Sequence, residues 1–252
     1  MTIKEPIKKV LLQFGYQVQR VKNRQIGHDP FEDMRTLTNT EGPAILFDVG
    51  ANRGQSVSTF HAHFPSSVIH AFEPSPSTFE LLKKQIRGIP NLHLNNIALG
   101  SNCERKTLIE SSVDTVSSLL PRGKDFHWED VISHTDVDVM SIDSYCQSTG
   151  ITHIDVLKSD TQGFDYEVLK GGLNMLKQHR IHLIFVELLF VDLYVGMPSF
   201  EEIYLFLKNL GFELVSFYNI TWQDSRLGWL DGLFIDPCWQ RPDLFRSNAR
   251  LS

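Results

Sequence analysis

Polar residues follow apolar runs at five places in this chain: Asp48 to Gly54, Glu73, Asn95-Asn96, Asp160 and Glu187. Each run reads as a buried strand. Ligands of open α/β sheets bind beyond the carboxyl ends of the strands, at the switch point of the strand order. Carboxylates, an amide and a glycine turn converging there could hold a polar ligand and accept a proton. The turn comes first. Ala44-Ile45-Leu46-Phe47 leads into Asp48, the chain turns tightly through Gly50 and Gly54, and a helix pattern follows at once, with Val57, Phe60 and Phe64 on one face and Pro65 as its stop. Such a strand–turn–helix points backbone N–H groups at a ligand and lets the chain come close to it. Glu73, about 20 residues further on at the tip of the next predicted strand, is placed to hold the two hydroxyls of a ribose. Gly50 and Gly54 are spaced G-x3-G, not the G-x-G-x-x-G that admits a pyrophosphate, which counts against a dinucleotide.

The elements that must position these groups follow in chain order. Ile7, Val10, Leu11 and Phe14 have the spacing of an amphipathic helix that Gly15 stops, and it reads either as packing on a sheet edge or as a lid or dimer contact. After Glu73, Ser77 with Glu80 fits a capping box, and Ser75 before Pro76 fits a cap with proline at the first helical position. Leu92 to Ala98 predicts a third strand. Lys106 to Glu110 predicts a hairpin strand, followed by Ser117 and Ser118 and by a polar loop with Phe126, His127 and Trp128. Asp136 to Ile142 alternates acid and apolar side chains, a half-exposed strand leading into a helix from Asp143 to Ser148. Ile154 to Leu157 and Ile181 to Val186 are strands four and five, with a helix opening at Gly163 between them. Ser199 with Glu202 is a further capping box, for a helix that Gly211 ends. Phe212 to Tyr218 and Trp229 to Ile235 are the last two strands, separated by a loop with Trp222 and Arg226. The first five strands alternate with helices and predict a parallel sheet covered on both faces; the last two have no helix between them and predict an antiparallel pair.

Four of these stretches carry a resemblance. Phe47-Asp48-Val49-Gly50-Ala51-Asn52-Arg53-Gly54, Ala71-Phe72-Glu73-Pro74, Asn96-Ile97-Ala98-Leu99-Gly100 and Leu157-Lys158-Ser159-Asp160-Thr161-Gln162-Gly163-Phe164-Asp165, in this order, look like the motifs of FkbM-type methyltransferases. The resemblance implies a Rossmann-like, seven-stranded class I methyltransferase sheet with one reversed strand, S-adenosylmethionine as cofactor, and methyl transfer to a hydroxyl oxygen of a small molecule or sugar. It implies that Asp48, Gly50, Asn52 and Gly54 surround the methionine moiety. Asp48 then attracts the ligand's ammonium or caps its own turn. Glu73 would serve the ribose, with Pro74 beside it among the cofactor-binding residues, and Asn96 and Ala98 the adenine, unless Asn96 only forms a turn; Ser118 is a neighbour. Methyl transfer to oxygen needs an aligned hydroxyl and benefits from proton removal. Asp160 is the first candidate for that base and Glu187 the second, with Lys158 beside them; the alternative for Asp160 is a cap on the following helix. Ser159 and Asp165 depart from the usual apolar residue and glutamate of the family.

Composition bounds the rest. A net charge of −6 argues against a nucleic-acid partner, which needs a basic face. No run of 18 apolar residues exists, so no membrane span is expected. Cys103, Cys146 and Cys238 are too scattered for a disulfide framework or a zinc spacing, and a reducing cytoplasm is the simplest home. His61 and His63 are two apart on a helix and point away from each other, so no metal is assigned. The expected organisation is an N-terminal helical extension over 1–42, a methyltransferase domain over 43–240 and a tail over 241–252, acting on a small-molecule or carbohydrate acceptor, with a homodimer left open. Two other functions compete: an NAD-dependent oxidoreductase, and a non-catalytic S-adenosylmethionine-binding module.

Overall fold

The computed structural model describes residues 26–38, 43–112, 114–127 and 130–239, together with Val10, Gln13 and Phe14. The helix expected from Ile7 to Phe14 rests on residues outside this set, as do Trp128 and the tail 241–252. The elements are α1 (Pro30–Leu37), β1 (Ile45–Val49), α2 (Gln55–His63), β2 (Val68–Phe72), α3 (Pro76–Gln85), β3 (Leu92–Asn95), β4 (Ala98–Leu99), β5 (Glu104–Ser111), β6 (Val131–Met140), α4 (Ile142–Thr149), β7 (Ile154–Ser159), α5 (Asp165–Gly171), α6 (Leu173–Lys177), β8 (Ile181–Leu189), α7 (Phe200–Asn209), β9 (Glu213–Gln223) and β10 (Arg226–Ile235). The main sheet runs β3-β2-β1-β7-β8-β10-β9, and only β10 is reversed against its neighbours. This is the seven-stranded, mostly parallel α/β sheet expected from the sequence.

Burial follows from the layers. Every residue of β7 and β8 is buried, as strands with both faces covered must be. On one face Phe47 of β1 shares a core with Ile142, Leu169 and Leu207 from α4, α5 and α7. On the other, Leu46 of β1 shares a core with Met34, Phe60 and Leu82 from α1, α2 and α3. Helix α1 had no periodicity to announce it, yet its start is marked: Asp29 accepts from the N–H groups of Phe31 and Glu32, and Pro30 holds the first helical position. Of the two starts weighed for α3, the structure takes Ser75, whose hydroxyl accepts from Thr78 N. The capping box of Ser199 and Glu202 forms as expected.

Several boundaries differ from expectation, among them β6, which already begins at Val131 and leaves Ile142 to α4. The third strand stops at Asn95, because Asn96 turns its amide back to donate to the carbonyls of Glu73 and Pro74, at 2.8 and 3.0 Å. Ala98 therefore starts β4 in a separate three-stranded sheet, β4-β6-β5. Strand β8 passes through Glu187 to Leu189, since β10 continues to pair with it after β7 has ended at Ser159. Trp222 and Arg226 lie in strands, not in a loop. Asp224 and Ser225 alone make the turn, with φ of 48° and 65°; two left-handed residues match the twist of a tight hairpin without any glycine. Among the described residues no helix is long and apolar enough to cross a membrane.

Candidate active site

The strand order reverses between β1 and β7, and the parallel register sets Asp48 beside Lys158 there. Lys158 Nζ lies 3.0 Å from Asp48 Oδ1 and 3.9 Å from Asp160 Oδ2. Asp48 is wholly buried, and its second oxygen accepts from Ser56 Oγ at 2.5 Å. Burial works against the lysine charge, but Asp48 and then Asp160 outweigh it, so the ammonium is held above the usual lysine range. Asp48 thus spends its charge on Lys158 and Ser56 rather than on the N–H groups of its own turn.

A cleft of about 260 Å³ opens over these strand tips. Gly50, Asn52, Glu73, Pro74, Ala98, Ser118, Lys158 and Asp160 line it, whereas Asp48, Gly54, Asn96 and Glu187 stand behind the lining. Glu73 is buried, and its oxygens accept from Asn52 N at 3.0 Å and Ser75 N at 2.9 Å. The acid therefore fastens the glycine turn to the head of α3, with Asn52 in the left-handed region at φ 46°. The two glycines have packing reasons. A Cβ on Gly54 would meet Ile86 and Leu82 at 2.5 and 2.8 Å, and one on Gly50 would lie 1.9 Å from the carbonyl oxygen of Asp160. Gly50→Ala should lose at least about 1–2 kcal/mol from its left-handed backbone alone, with the collision added. Gly88→Ala, also left-handed but facing open space, is the control in urea unfolding and should lose only the backbone part. Equal losses would mean that the strand tips separate freely.

On the other side of β1 the carboxylates gather. Asp160 follows β7, half-exposed, and does not cap α5; Asp165 closes that turn by accepting from Ser159 Oγ and Thr161 N at 2.6 and 3.1 Å. The serine and aspartate that depart from the family pattern thus satisfy each other. Gln162, at φ 54°, donates its amide to Asp160 Oδ1 at 3.0 Å and Glu187 Oε2 at 3.2 Å, and accepts from Tyr194 Oη at 2.9 Å. Glu187 is buried and opposite Asp231 across the β8–β10 ladder. Burial first, then Asp160, Asp165 and Asp231, push its pKa well up against the opposing Lys158. Burial likewise lifts Asp231 and Asp165 to about 6. Ser118 donates to the carbonyl of Gln162 at 2.7 Å, so the β4-β6-β5 insertion is tied to this loop.

The sequence profile of the methyltransferase FkbM domain matches residues 48–214, which include every one of these groups except Asp231. The chain belongs to the FkbM methyltransferase family. Among curated proteins it is 24% identical over 195 residues to the 2-O-methyltransferase NoeI of Sinorhizobium fredii, covering 69% of this chain and 79% of that protein. It is also 24% identical over 191 residues to the methyltransferase sdnD of Sordaria araneosa, covering 62% and 71%. In fold it is similar to an rRNA methylase from Streptococcus thermophilus, with a TM-score of 0.50 and 10% identity over 84% of this chain and 99% of that one. As an FkbM protein it is a methyltransferase enzyme of the S-adenosylmethionine-dependent class, which leaves the nicotinamide reading without support.

This FkbM site contains groups that sequence reasoning passed over. Gln162 stood inside a quoted motif but had no assigned role. Asp231 had one signal, an acid within the apolar run Leu230 to Ile235. Ile97 and Leu99 beside Ala98, with Leu108 and Leu119 from the insertion, supply an apolar wall. Tyr194 is 2% exposed and packs with Leu189, Val191 and Leu193. Trp222 is exposed.

Proposed function

We propose that this chain transfers a methyl group from S-adenosylmethionine to a hydroxyl oxygen of a small molecule or sugar. The observation that carries this reading is the continuous cleft that runs from Glu73 and the Gly50 turn, across β1, to Lys158 and Asp160. Its parts fit the cofactor: a buried carboxylate for ribose hydroxyls, backbone of the glycine turn for the amino-acid moiety, and an apolar wall at Ile97, Ala98 and Leu99 for the adenine. When bound, the cofactor supplies an electrophilic methyl group on a sulfonium sulfur. Asp160, at the lip of the cleft, orients the acceptor hydroxyl and takes up its proton. Gln162 links Asp160 to Glu187 and keeps the two carboxylates in register. Asp48 and Asn96 act behind the lining, the first holding Lys158 and the second holding the backbone of Glu73 and Pro74. Ser118 fixes the loop that carries Gln162. A 2-O-methyltransferase among the relatives supports oxygen as the acceptor atom.

Calorimetry with S-adenosylhomocysteine, beside NAD, tests the reading. The wild type should bind the homocysteine product and ignore NAD. Glu73→Ala should lose roughly 1–3 kcal/mol of that binding, the cost of an unsatisfied buried polar partner. Transfer of labelled methyl to a panel of hydroxylated sugars and metabolites follows. NAD binding without homocysteine binding would overturn the cofactor; product binding without transfer to any hydroxyl would favour a binding module.

A further inference from the structure

The opposite edge of the sheet, at the amino ends of β7 and β8, gathers a second group of ligating side chains that methyl transfer does not use. His179 precedes β8, while Asp236 and Cys238 follow β10. One ligand atom from each, the imidazole Nδ1, a carboxylate oxygen and the thiol sulfur, lies within 4.8 Å of the other two. His179 Nδ1 stands 2.8 Å from Asp236 Oδ2. Asp236 is 1% exposed, whereas His179 and Cys238 reach solvent.

The backbone around these groups is already fixed. Asp236 N donates to the carbonyl of His182 at 2.8 Å, Cys238 N donates to Asp236 Oδ1 at 3.0 Å, and Trp239 N donates to the carbonyl of Asp236 at 3.0 Å. Trp239 also donates its indole N–H to the carbonyl of His179 at 2.7 Å and stacks on the ring of His182 at 3.7 Å. His182 Nδ1 is taken by Asp155 at 3.0 Å, and its buried Nε2 has no hydrogen-bond partner among the described residues.

We propose that His179, Asp236 and Cys238 bind a divalent transition-metal ion, zinc by preference, that staples the segment after β10 to the foot of β8. Nitrogen, oxygen and thiolate donors together suit zinc better than a hard cation such as magnesium or calcium. Ligand atoms around a tetrahedral zinc stand about 3–4 Å apart, so a small closure of the present arrangement suffices. Binding replaces the His179–Asp236 hydrogen bond: the ion takes Nδ1, Oδ2 and Sγ, the neutral imidazole carries its proton on Nε2, and the thiol proton passes to solvent. Asp236 Oδ1 keeps Cys238 N, which orients the carboxylate as an outer partner does in built metal sites. The fourth position is open to water. The site lies at the ends of the strands opposite the cleft, so its role is structural.

The test uses the untagged full chain, stripped with a chelator and titrated with cobalt and then zinc. One equivalent of cobalt should bind with a near-ultraviolet thiolate-to-metal charge-transfer band, and zinc should displace it. Cys238→Ser should abolish that band, and Cys103→Ser, at another exposed cysteine, should leave it unchanged. His179→Ala should weaken zinc at least tenfold. Circular dichroism and unchanged S-adenosylhomocysteine binding would establish that each variant is folded. No stoichiometric binding, or a band that survives Cys238→Ser or disappears with Cys103→Ser, would overturn the site.

Discussion

Replacing Lys158 with methionine should cost roughly 3–5 kcal/mol of folding stability, the penalty for leaving one member of a buried pair without its partner. Asp48 is fully buried and would retain only the hydroxyl of Ser56. Asp48→Asn should cost less, because Lys158 still has the half-exposed Asp160 at 3.9 Å. The double variant Asp48→Asn/Lys158→Met should recover most of the loss, since a pair replaced by uncharged groups carries no orphaned charge. The excess of the two single losses over the double one is the coupling energy. Urea unfolding at neutral pH measures all three. The pKa of Lys158 is raised in the folded chain. Its contribution is therefore complete below the unfolded lysine value and is lost only as pH rises through the raised one, so the lysine's own titration does not change the loss between pH 6 and 9. A loss below about 1 kcal/mol for Lys158→Met would mean that the pair behaves as a solvated surface ion pair and that the floor of the cleft is wet.

That pair marks the limit of what the sequence discloses. The strand tips were legible, because apolar runs ending in acids are a local pattern, and Asp48, Glu73, Asp160 and Glu187 do meet at one edge. Their partners were not, because partnership depends on register. Asp48 meets Lys158 across 110 residues of chain, and the need for glycine at position 50 comes from the carbonyl of Asp160 as well as from the left-handed turn. The insertion was legible as fragments. Lys106 to Glu110 and Asp136 to Met140 alternate as strands should, but only the turn made by Asn96 tells that Ala98 joins them and leaves the main sheet. The β9–β10 hairpin was masked by a turn of aspartate and serine where glycine or asparagine is the usual sign. Glu187 was read as the end of its strand, yet it lies within β8, and its importance comes from Asp231 opposite and Gln162 above.

Glu187→Gln should slow the enzyme and strengthen the fold at alkaline pH, and Asp160→Asn should separate the two carboxylates. In the folded chain burial and three nearby acids raise the pKa of Glu187. The native state therefore holds this proton more tightly than the unfolded chain does. That contribution is full below the unfolded glutamate value and is lost as pH rises through the folded one, so an ionised Glu187 is a cost carried by the fold. Glutamine is neutral at every pH. The variant's melting temperature should exceed the wild type's at pH 8, and the margin should shrink as pH falls toward 5, a range in which Asp231 and Asp165 also take up protons. Asp160→Asn should reduce kcat by about 10²–10⁴-fold, the usual worth of a general base, with homocysteine binding preserved. In the wild type kcat/KM should rise with pH on the acidic side, since a carboxylate must be ionised to accept a proton. Should that limb survive Glu187→Gln, Asp160 takes the proton and Glu187 acts through Gln162 on its position. Should the limb vanish, the titrating group is Glu187, and the roles of the two acids are exchanged. A variant no more stable than the wild type at pH 8 would mean that water reaches Glu187 and that its ionisation is not costly, which removes the physical reason for a raised pKa at this site.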